Sequence, residues 1–443
     1  MRLTAGEVLS ATGGRLSGGA AEAALSSFHT DSREVVEGGL FFALRGSEMD
    51  GHAFVAEAVR RGAAGVVVDR PVESPGAAQI AVGDTWGALY RLAGWVLAQV
   101  DPLVVGVTGS NGKTSTKEMA AAVLASRRSV LKSEGNLNTE TGLPLTLLKL
   151  GREHDVAVLE MGMQGPGEIE RLAALARPRV GVVTSIGTVH VEHFADGQRG
   201  IARAKGELVE ALPRHGLAVL NRDDAFFEFL SKLSKAPVLG VGLEGGDLRA
   251  EGYRPGAGGG SDFSVEGVGV HLPLGGRHQV RNALAALAVG RFAGVPLEEG
   301  AAALAGVNVE HRLQERPAPG GYVVVDDAYN ASPESMLAAF EALLERPGGG
   351  RLIAVLGEMR ELGSLAEEAH WRVGRRAAEV FDRVAVVDVG WGSLLADAAG
   401  GQLLPDRSAA EDWVRASARP GDRVLVKASH GVALYELVEE LLR

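Results

Sequence analysis

The 443-residue sequence contains no cysteine. This excludes disulfides, thiolate nucleophiles and cysteine-bound zinc or iron–sulfur centres. Carboxylate, imidazole and hydroxyl groups are left as metal ligands, a donor set that suits a hard cation such as Mg²⁺. Long apolar runs are also missing. No stretch sustains the roughly 18 to 20 apolar residues of a membrane span, and "MRLTAGEVLSATGGRLSGG" lacks the apolar core of a secretory signal, so a cytoplasmic protein without a membrane span is expected. Basic blocks are absent too: Lys and Arg total 45 against 56 Asp and Glu, a net charge of −11. Nothing in the chain would track a nucleic-acid backbone, so polynucleotide partners are not expected, although a small anion could still be held by local donors and a metal. There is no internal repeat.

What is present reads as a globular protein, 46% apolar and 23% charged, with length for about three domains. Residues 1–83 mix short strand-like runs ("GLFFAL", "GVVVD") with an amphipathic helix ("HAFVAEAVRRG"), as in a small α/β domain. Residues 84–307 open with the helical "DTWGALYRLAGWVLAQV". They continue with β-rich runs, "PLVVGVTG", "DVAVLEMG" and "RVGVVTSIG", each followed by polar loop and helix. That alternation predicts a doubly wound, mainly parallel sheet. The glycine-rich "GYRPGAGGGSDFSVEGVGVHLPLGG" predicts an irregular loop and hairpin at the sheet's edge. A second alternating series, "YVVVDDAYN", "RLIAVLG", "RVAVVDVG" and "DRVLVKAS", with a helix from Pro333 and a last helix to Leu442, predicts a separate Rossmann-like domain over 308–443.

The chemistry concentrates at "VTGSNGKTSTKEM". A strand runs into Gly109, Asn111 and Gly112, and Lys113 and Thr114 open a helix. Backbone N–H groups and the helix end would cradle phosphate, lysine would neutralise it, and the Thr114 hydroxyl would reach Mg²⁺. The usual first glycine of such a loop is displaced, since its place is taken by Val107. Two more polar residues fall near strand ends, where ligands collect in parallel sheets: Glu160 after "DVAVL" and His190 after "VGVVTSIG". Hydroxyl, carboxylate and imidazole can share Mg²⁺ over a triphosphate, although imidazole is an unusual ligand for so hard a cation. Lys205 shares a helical stripe with Ile201, Leu208 and Leu212 in "GIARAKGELVEAL". From pattern alone such a lysine is expected to snorkel, because an isolated buried ammonium is costly.

These motifs, together with "GNLNTETGLPLTLL", "LEMGMQGPGEI", "GRHQVRNALAAL", "VDDAYNASPESM", "VLGEMRELG" and "DSREVVEGGLFFALRG", resemble the Mur ligases, ATP-dependent amide-forming enzymes of peptidoglycan precursor synthesis. Within that family the displaced glycine is normal, and the combination looks like the member that adds D-alanyl-D-alanine to UDP-N-acetylmuramoyl-tripeptide. The resemblance implies a small UDP-binding domain, a P-loop ATPase-like central domain and a Rossmann-like C-terminal domain. Thr108, Gly109, Ser110, Asn111, Gly112, Lys113 and Thr114 would hold the ATP phosphates. Thr114 and Glu160 would bind one Mg²⁺ and His190 a second. Lys205 would carry a CO₂-derived carbamate that ligates metal, which reverses the snorkelling expectation. Asn282, Arg312, Asp327, Tyr329 and Asn330 would contact adenosine or phosphate. Ser32 and Arg33 would hold the UDP end, and Asn136, Asn138 and Thr139 would face the muramoyl-peptide. The tripeptide's terminal carboxylate would attack the γ-phosphate, and the dipeptide amine would then displace phosphate from the acyl phosphate. A monomer closing about hinges near Asp84 and Val307 is expected.

Two departures stand out. The C-terminal "VKASHGV" places Ala428 and His430 where relatives often read Lys-Gly-Ser-Arg, and Gln164-Gly165 replaces a common Asn-His pair. An imidazole cannot reproduce a guanidinium fork. Alternative readings are a related ligase adding a different amino acid, a P-loop small-molecule kinase, and a nucleotide-dependent switch protein. The Asp-Asn-Pro-Arg signature of the diamino-acid-adding member is absent, which favours the dipeptide.

Overall fold

The computed structural model describes residues 2–46, 49–346 and 348–443. The chain forms two compact units. One comprises Met1–Gly106, Arg128–Gly162 and Glu170–Arg179, the other Val107–Arg127, Met163–Ile169 and Val180–Arg443.

In the first unit a five-stranded sheet has the order Arg15–Gly18, Ala78–Ala81, Ala63–Val68, Gly39–Phe42, Ser27–His29, with only the Arg15–Gly18 edge antiparallel. Its core is the apolar face expected of "GLFFAL" and "GVVVD": Phe41, Val66 and Val68 pack with Val55 and Ala58 of the short helix Val55–Arg60. One further helix, Ala5–Thr12, lies outside the elements predicted from the sequence. It is closed by a reciprocal Thr4–Glu7 cap, a local signal readable in "LTAGE". Asp84 caps the helix Thr85–Val100 by accepting from the N–H groups of Trp86 and Gly87. The strand Leu103–Thr108 begins in this unit beside Val156–Glu160, where the Leu103 N–H donates to the Asp155 carbonyl, and Val156–Glu160 pairs in parallel with Val130–Lys132.

The same strand ends in the second unit. There the Thr184 N–H donates to the Thr108 carbonyl, and Val180–Val183, Leu217–Asn221, Val238–Gly242 and Leu248–Arg249 follow in parallel. Helices Lys113–Ala125 and Arg277–Phe292 pack together. The glycine-rich segment departs from the expected edge hairpin. It forms a separate three-stranded antiparallel sheet, Glu251–Pro255, Ser261–Val265 and Val268–Leu272. The reason is the strict alternation of "SDFSV", whose Ser261, Phe263 and Val265 are buried on one face.

The C-terminal sheet has the order Gln314–Pro317, Val323–Asp326, Arg423–Lys427, Leu352–Leu356, Arg383–Val387, Gln402–Leu404, parallel except for its first edge. Alternate residues feed two cores. Ala354, Leu356 and Leu425 meet helices Pro333–Leu344 and Ala366–Val380, while Ile353, Val355, Val424 and Val426 meet Arg407–Ser417 and Leu434–Leu441. The doubly wound reading therefore holds. Both edge strands lie outside it, because "QERP" and "QLL" are too short and too exposed to carry a period.

Candidate active site

In the second unit the glycine-broken loop leaves its strand at Thr108, which is fully buried. Gly109 and Gly112 both adopt positive φ. A side chain at Gly109 would run into Thr184, and one at Gly112 would come within 2.6 Å of Asn282 Oδ1, so each position requires glycine. A second strand-end segment staples the loop. The Ser110 N–H donates to the Ser185 carbonyl (2.8 Å), the Gly187 N–H to Ser110 Oγ (2.8 Å) and Thr184 Oγ1 to the Asn111 carbonyl (2.5 Å). The helix Lys113–Ala125 begins at Gly112 with no side-chain cap among the described residues, so its first N–H groups are available to an anion. Lys113 Nζ donates to the Gly109 carbonyl at 2.8 Å, and Thr114 stands half-buried beside it.

The C-terminal elements reach this loop, and the segment that staples it, through three side chains. Ser332, which caps the helix Pro333–Leu344, donates to Asn111 Oδ1 at 3.2 Å. Glu334 Oε1 accepts from the Thr188 N–H (2.9 Å) and hydroxyl (2.8 Å). Glu361 Oε2 lies 2.5 Å from His190 Nδ1, and both residues hold left-handed backbone, φ 64° and 67°.

Between these elements lies a cavity of about 240 Å³, bordered by Asn111, Gly112, Asn282, Arg312, Asp327 and Lys427. Lys427 is buried, 2.6 Å from Asp327 Oδ2, and donates to the Asn330 carbonyl at 2.9 Å. Burial pushes its amine below the ordinary lysine range, and Asp327 opposes that. The Arg312 guanidinium stacks over the Tyr329 ring at 4.4 Å. Of the predicted adenosine residues, Asn282, Arg312 and Asp327 line this cavity, while Tyr329 lies beneath Arg312 and Asn330 accepts from Lys427 through its carbonyl.

His278 also borders the cavity. The residue is partly exposed, and desolvation of its ring, reinforced by the charges of Lys427, Arg281, Arg312 and Arg346, holds its pKa down at about 3 against an ordinary 6.5. The unfolded chain would take up a proton below pH 6.5 that the folded chain refuses. Stability from the neutral ring is therefore complete above about pH 6.5 and is lost as pH falls towards 3. His278→Gln is expected to flatten that part of the stability–pH curve. Denaturant midpoints at pH 7.5 and 5 check this, and an unchanged slope would refute it.

Lys205 is 1% exposed, which corrects the snorkelling expected from pattern alone. The helix Gln198–Glu210 presents it inward with Ile201, Leu208 and Val209, all buried. Burial, and secondarily the charge of Lys113, lowers its pKa well below that of a free lysine.

In the first unit Glu160 closes its strand, is 3% exposed and accepts from Asn138 Nδ2 at 2.8 Å. Its backbone N–H donates to the buried Ser133 Oγ. Asn136 and Thr139 flank Asn138, with the Asn136 carbonyl accepting from the Asn138 N–H at 2.7 Å. Ser32 and Arg33 make their contacts elsewhere. Ser32 donates to Glu57 Oε2 (2.9 Å), and Arg33 forks onto Asp31, whose carboxyl is held at about 2 by that guanidinium and the Arg33 N–H.

Three family models cover the chain in sequence. These are the Mur ligase family catalytic domain at residues 25–122, the Mur ligase middle domain at 107–290, and the Mur ligase glutamate ligase domain at 311–430. The UDP-N-acetylmuramoyl-tripeptide–D-alanyl-D-alanine ligase of Synechocystis sp. is 38% identical over 427 residues, 94% of this chain and 92% of that protein. The chain belongs to the Mur ligase family. Among solved structures, MurF from Acinetobacter baumannii superposes with a TM-score of 0.90 at 31% identity, covering 100% of this chain and 99% of that one. The MurF ligase from Thermotoga maritima, solved in complex with ADP, gives 0.83 at 32% identity, covering 94% and 96%.

As a Mur ligase the chain is an ATP-dependent ligase, and several residues around the loop and cavity are not among those the sequence points to. Thr184 and Ser185 hold the glycine-broken loop, yet "VVTSIG" points only to His190 in the sequence. Their signal is a polar pair at a buried strand's end. His278 and Lys427 line the cavity, and a lysine ending an apolar strand marked the latter. Glu334 and Glu361 act across elements, and nothing in the local sequence announces that.

Proposed function

We propose that this Mur ligase joins D-alanyl-D-alanine to the terminal carboxylate of UDP-N-acetylmuramoyl-tripeptide, converting ATP to ADP and phosphate. The observation carrying this reading is the stapled phosphate loop opening onto a cavity ringed by nucleotide-compatible groups, on a chain aligned nearly end to end with relatives named for that reaction. No helix among the described residues is long and apolar enough to cross a membrane.

In the first step the loop's N–H groups and Lys113 hold the β- and γ-phosphates while a tripeptide carboxylate oxygen attacks γ-phosphorus. The O–P bond to ADP breaks, leaving an acyl phosphate. In the second step the dipeptide amine attacks the acyl carbon, loses a proton, and phosphate departs. Charge spread over the transferring phosphoryl oxygens is what the site must stabilise, and Lys113 and the oriented amides do so without reorganising. Ser332, Glu334 and Glu361 keep the C-terminal elements over the loop, which limits water's access to the acyl phosphate.

The donors fit Mg²⁺. Among the described residues no three His, Asp or Glu cluster as a cage. In the second unit the Thr114 hydroxyl at the start of the helix Lys113–Ala125 is a donor of the kind used by an ion that takes most of its ligands from phosphates and water. Bound Mg²⁺ supplies neutralisation of phosphate charge. A buried amine of lowered pKa such as Lys205 is the neutral nucleophile that addition to CO₂ requires, so a carbamate there fits as well. Phosphate release measured with UDP-tripeptide, ATP and Mg²⁺ is expected to depend on D-Ala-D-Ala. Release that is equal with a diamino acid or with glutamate would sink the dipeptide assignment.

A further inference from the structure

The dipeptide offers an enzyme little to recognise: two methyl groups, one amide, the reacting amine and a carboxylate. The carboxylate carries the only permanent charge once the amine is deprotonated, so discrimination requires a cation about 7 Å from the reacting carbon, the span of two extended residues. His430, at the position where relatives often carry arginine, does not provide it. Its ring stacks on Tyr435 at 5.3 Å with an interplanar angle of 18° and also faces Tyr329 at 5.6 Å.

Nearby cations are otherwise engaged. Lys113 is committed to the phosphate loop, Lys427 is buried against Asp327, and Arg312 lies over Tyr329 on the nucleotide cavity. Arg360 is different. It follows the strand Leu352–Leu356 and directly precedes Glu361, which reaches His190. Its backbone is fastened, because its N–H donates to Ser429 Oγ (2.9 Å) while the Ser429 N–H donates to the Glu358 carbonyl (3.1 Å). Its Nε donates to Glu358 Oε1 at 2.5 Å, which fixes the plane of the guanidinium and leaves the two terminal nitrogens without a hydrogen bond among the described residues, on a side chain 48% exposed. The head lies against residue 431, where a methyl in place of hydrogen would come within 2.1 Å of it, so glycine there admits the guanidinium next to His430.

We propose that the Arg360 guanidinium receives the carboxylate of the incoming dipeptide, supplying from a neighbouring strand end the fork that His430 cannot form. A planar guanidinium already oriented by a carboxylate is the group suited to bidentate recognition of a second one. The inference rests on the dipeptide reading above.

The test compares D-Ala-D-Ala with its C-terminal amide in the phosphate-release assay. Wild type is expected to prefer the free acid. Arg360→Gln raises the KM for D-Ala-D-Ala about 10- to 100-fold, leaves the KM values for ATP and UDP-tripeptide unchanged, and abolishes the preference. Arg360→Lys retains part of the preference, and Gly431→Ala, which displaces the guanidinium, loses part of it. A glutamine variant that keeps its KM and its preference, or loses only kcat, overturns the proposal. Wild type that is inactive with the dipeptide but active with another amino acid overturns the underlying reading instead.

Discussion

Lys113→Ala is expected to lower kcat for phosphate release about 1,000-fold, the upper range for removing one preorganised charge from a transition state. The lysine stands at the uncapped start of the helix Lys113–Ala125, with Nζ 2.8 Å from the Gly109 carbonyl. There its charge can follow the γ-phosphoryl group as negative charge spreads over it. Because Lys113 is half-buried and donates to carbonyls of its own loop, the fold is expected to survive, and circular dichroism would verify that. Nucleotide affinity should fall as well, since the ground-state phosphates lose the same cation. Activity within tenfold of wild type would mean that phosphoryl transfer is stabilised elsewhere.

Lys205→Ala is expected to abolish activity to a comparable degree, with partial recovery on adding a short carboxylic acid such as formate or acetate. A fully buried amine next to the charge of Lys113 is an expensive feature to keep as an ammonium. As a carbamate the side chain would be anionic, offer two oxygens to a cation and lie opposite a positive charge, which removes the conflict. Recovery by an alkylamine instead of a carboxylic acid would show that the amine itself acts. A second readout is independent of turnover. Protein equilibrated with ¹³C-bicarbonate should give a carbamate signal that Lys205→Ala lacks, and full activity in the alanine variant would refute the assignment outright.

The shape of the glycine-broken loop is legible because its pattern is local: strand, glycines, Lys-Thr and helix follow one another in sequence, and backbone sterics at Gly109 and Gly112 demand those residue types. The C-terminal doubly wound series was legible for the same reason, since period-2 strands feed two cores in "RLIAVL" and "RVLVK". Lys205 was readable as lying on an apolar stripe, but not as buried, because periodicity gives a face and says nothing about the depth at which the amine ends. The partners of His190 and Asn111 were not legible. Glu361 and Ser332 lie far along the chain, and only the folded C-terminal domain sets their register against the loop. His430 shows the limit most clearly. Its sequence position raised a doubt about a lost guanidinium, yet that Arg360 stands against the adjacent Gly431 follows only from how two strand ends meet.

The central claim is that a peptide carboxylate oxygen attacks the γ-phosphorus of ATP held by the loop around Asn111. UDP-tripeptide labelled with ¹⁸O in its terminal carboxylate, turned over with ATP and D-Ala-D-Ala, tests this directly by mass spectrometry of the products. The account predicts one labelled oxygen in the released phosphate and one retained in the new amide carbonyl. Unlabelled phosphate accompanying full amide formation would contradict it.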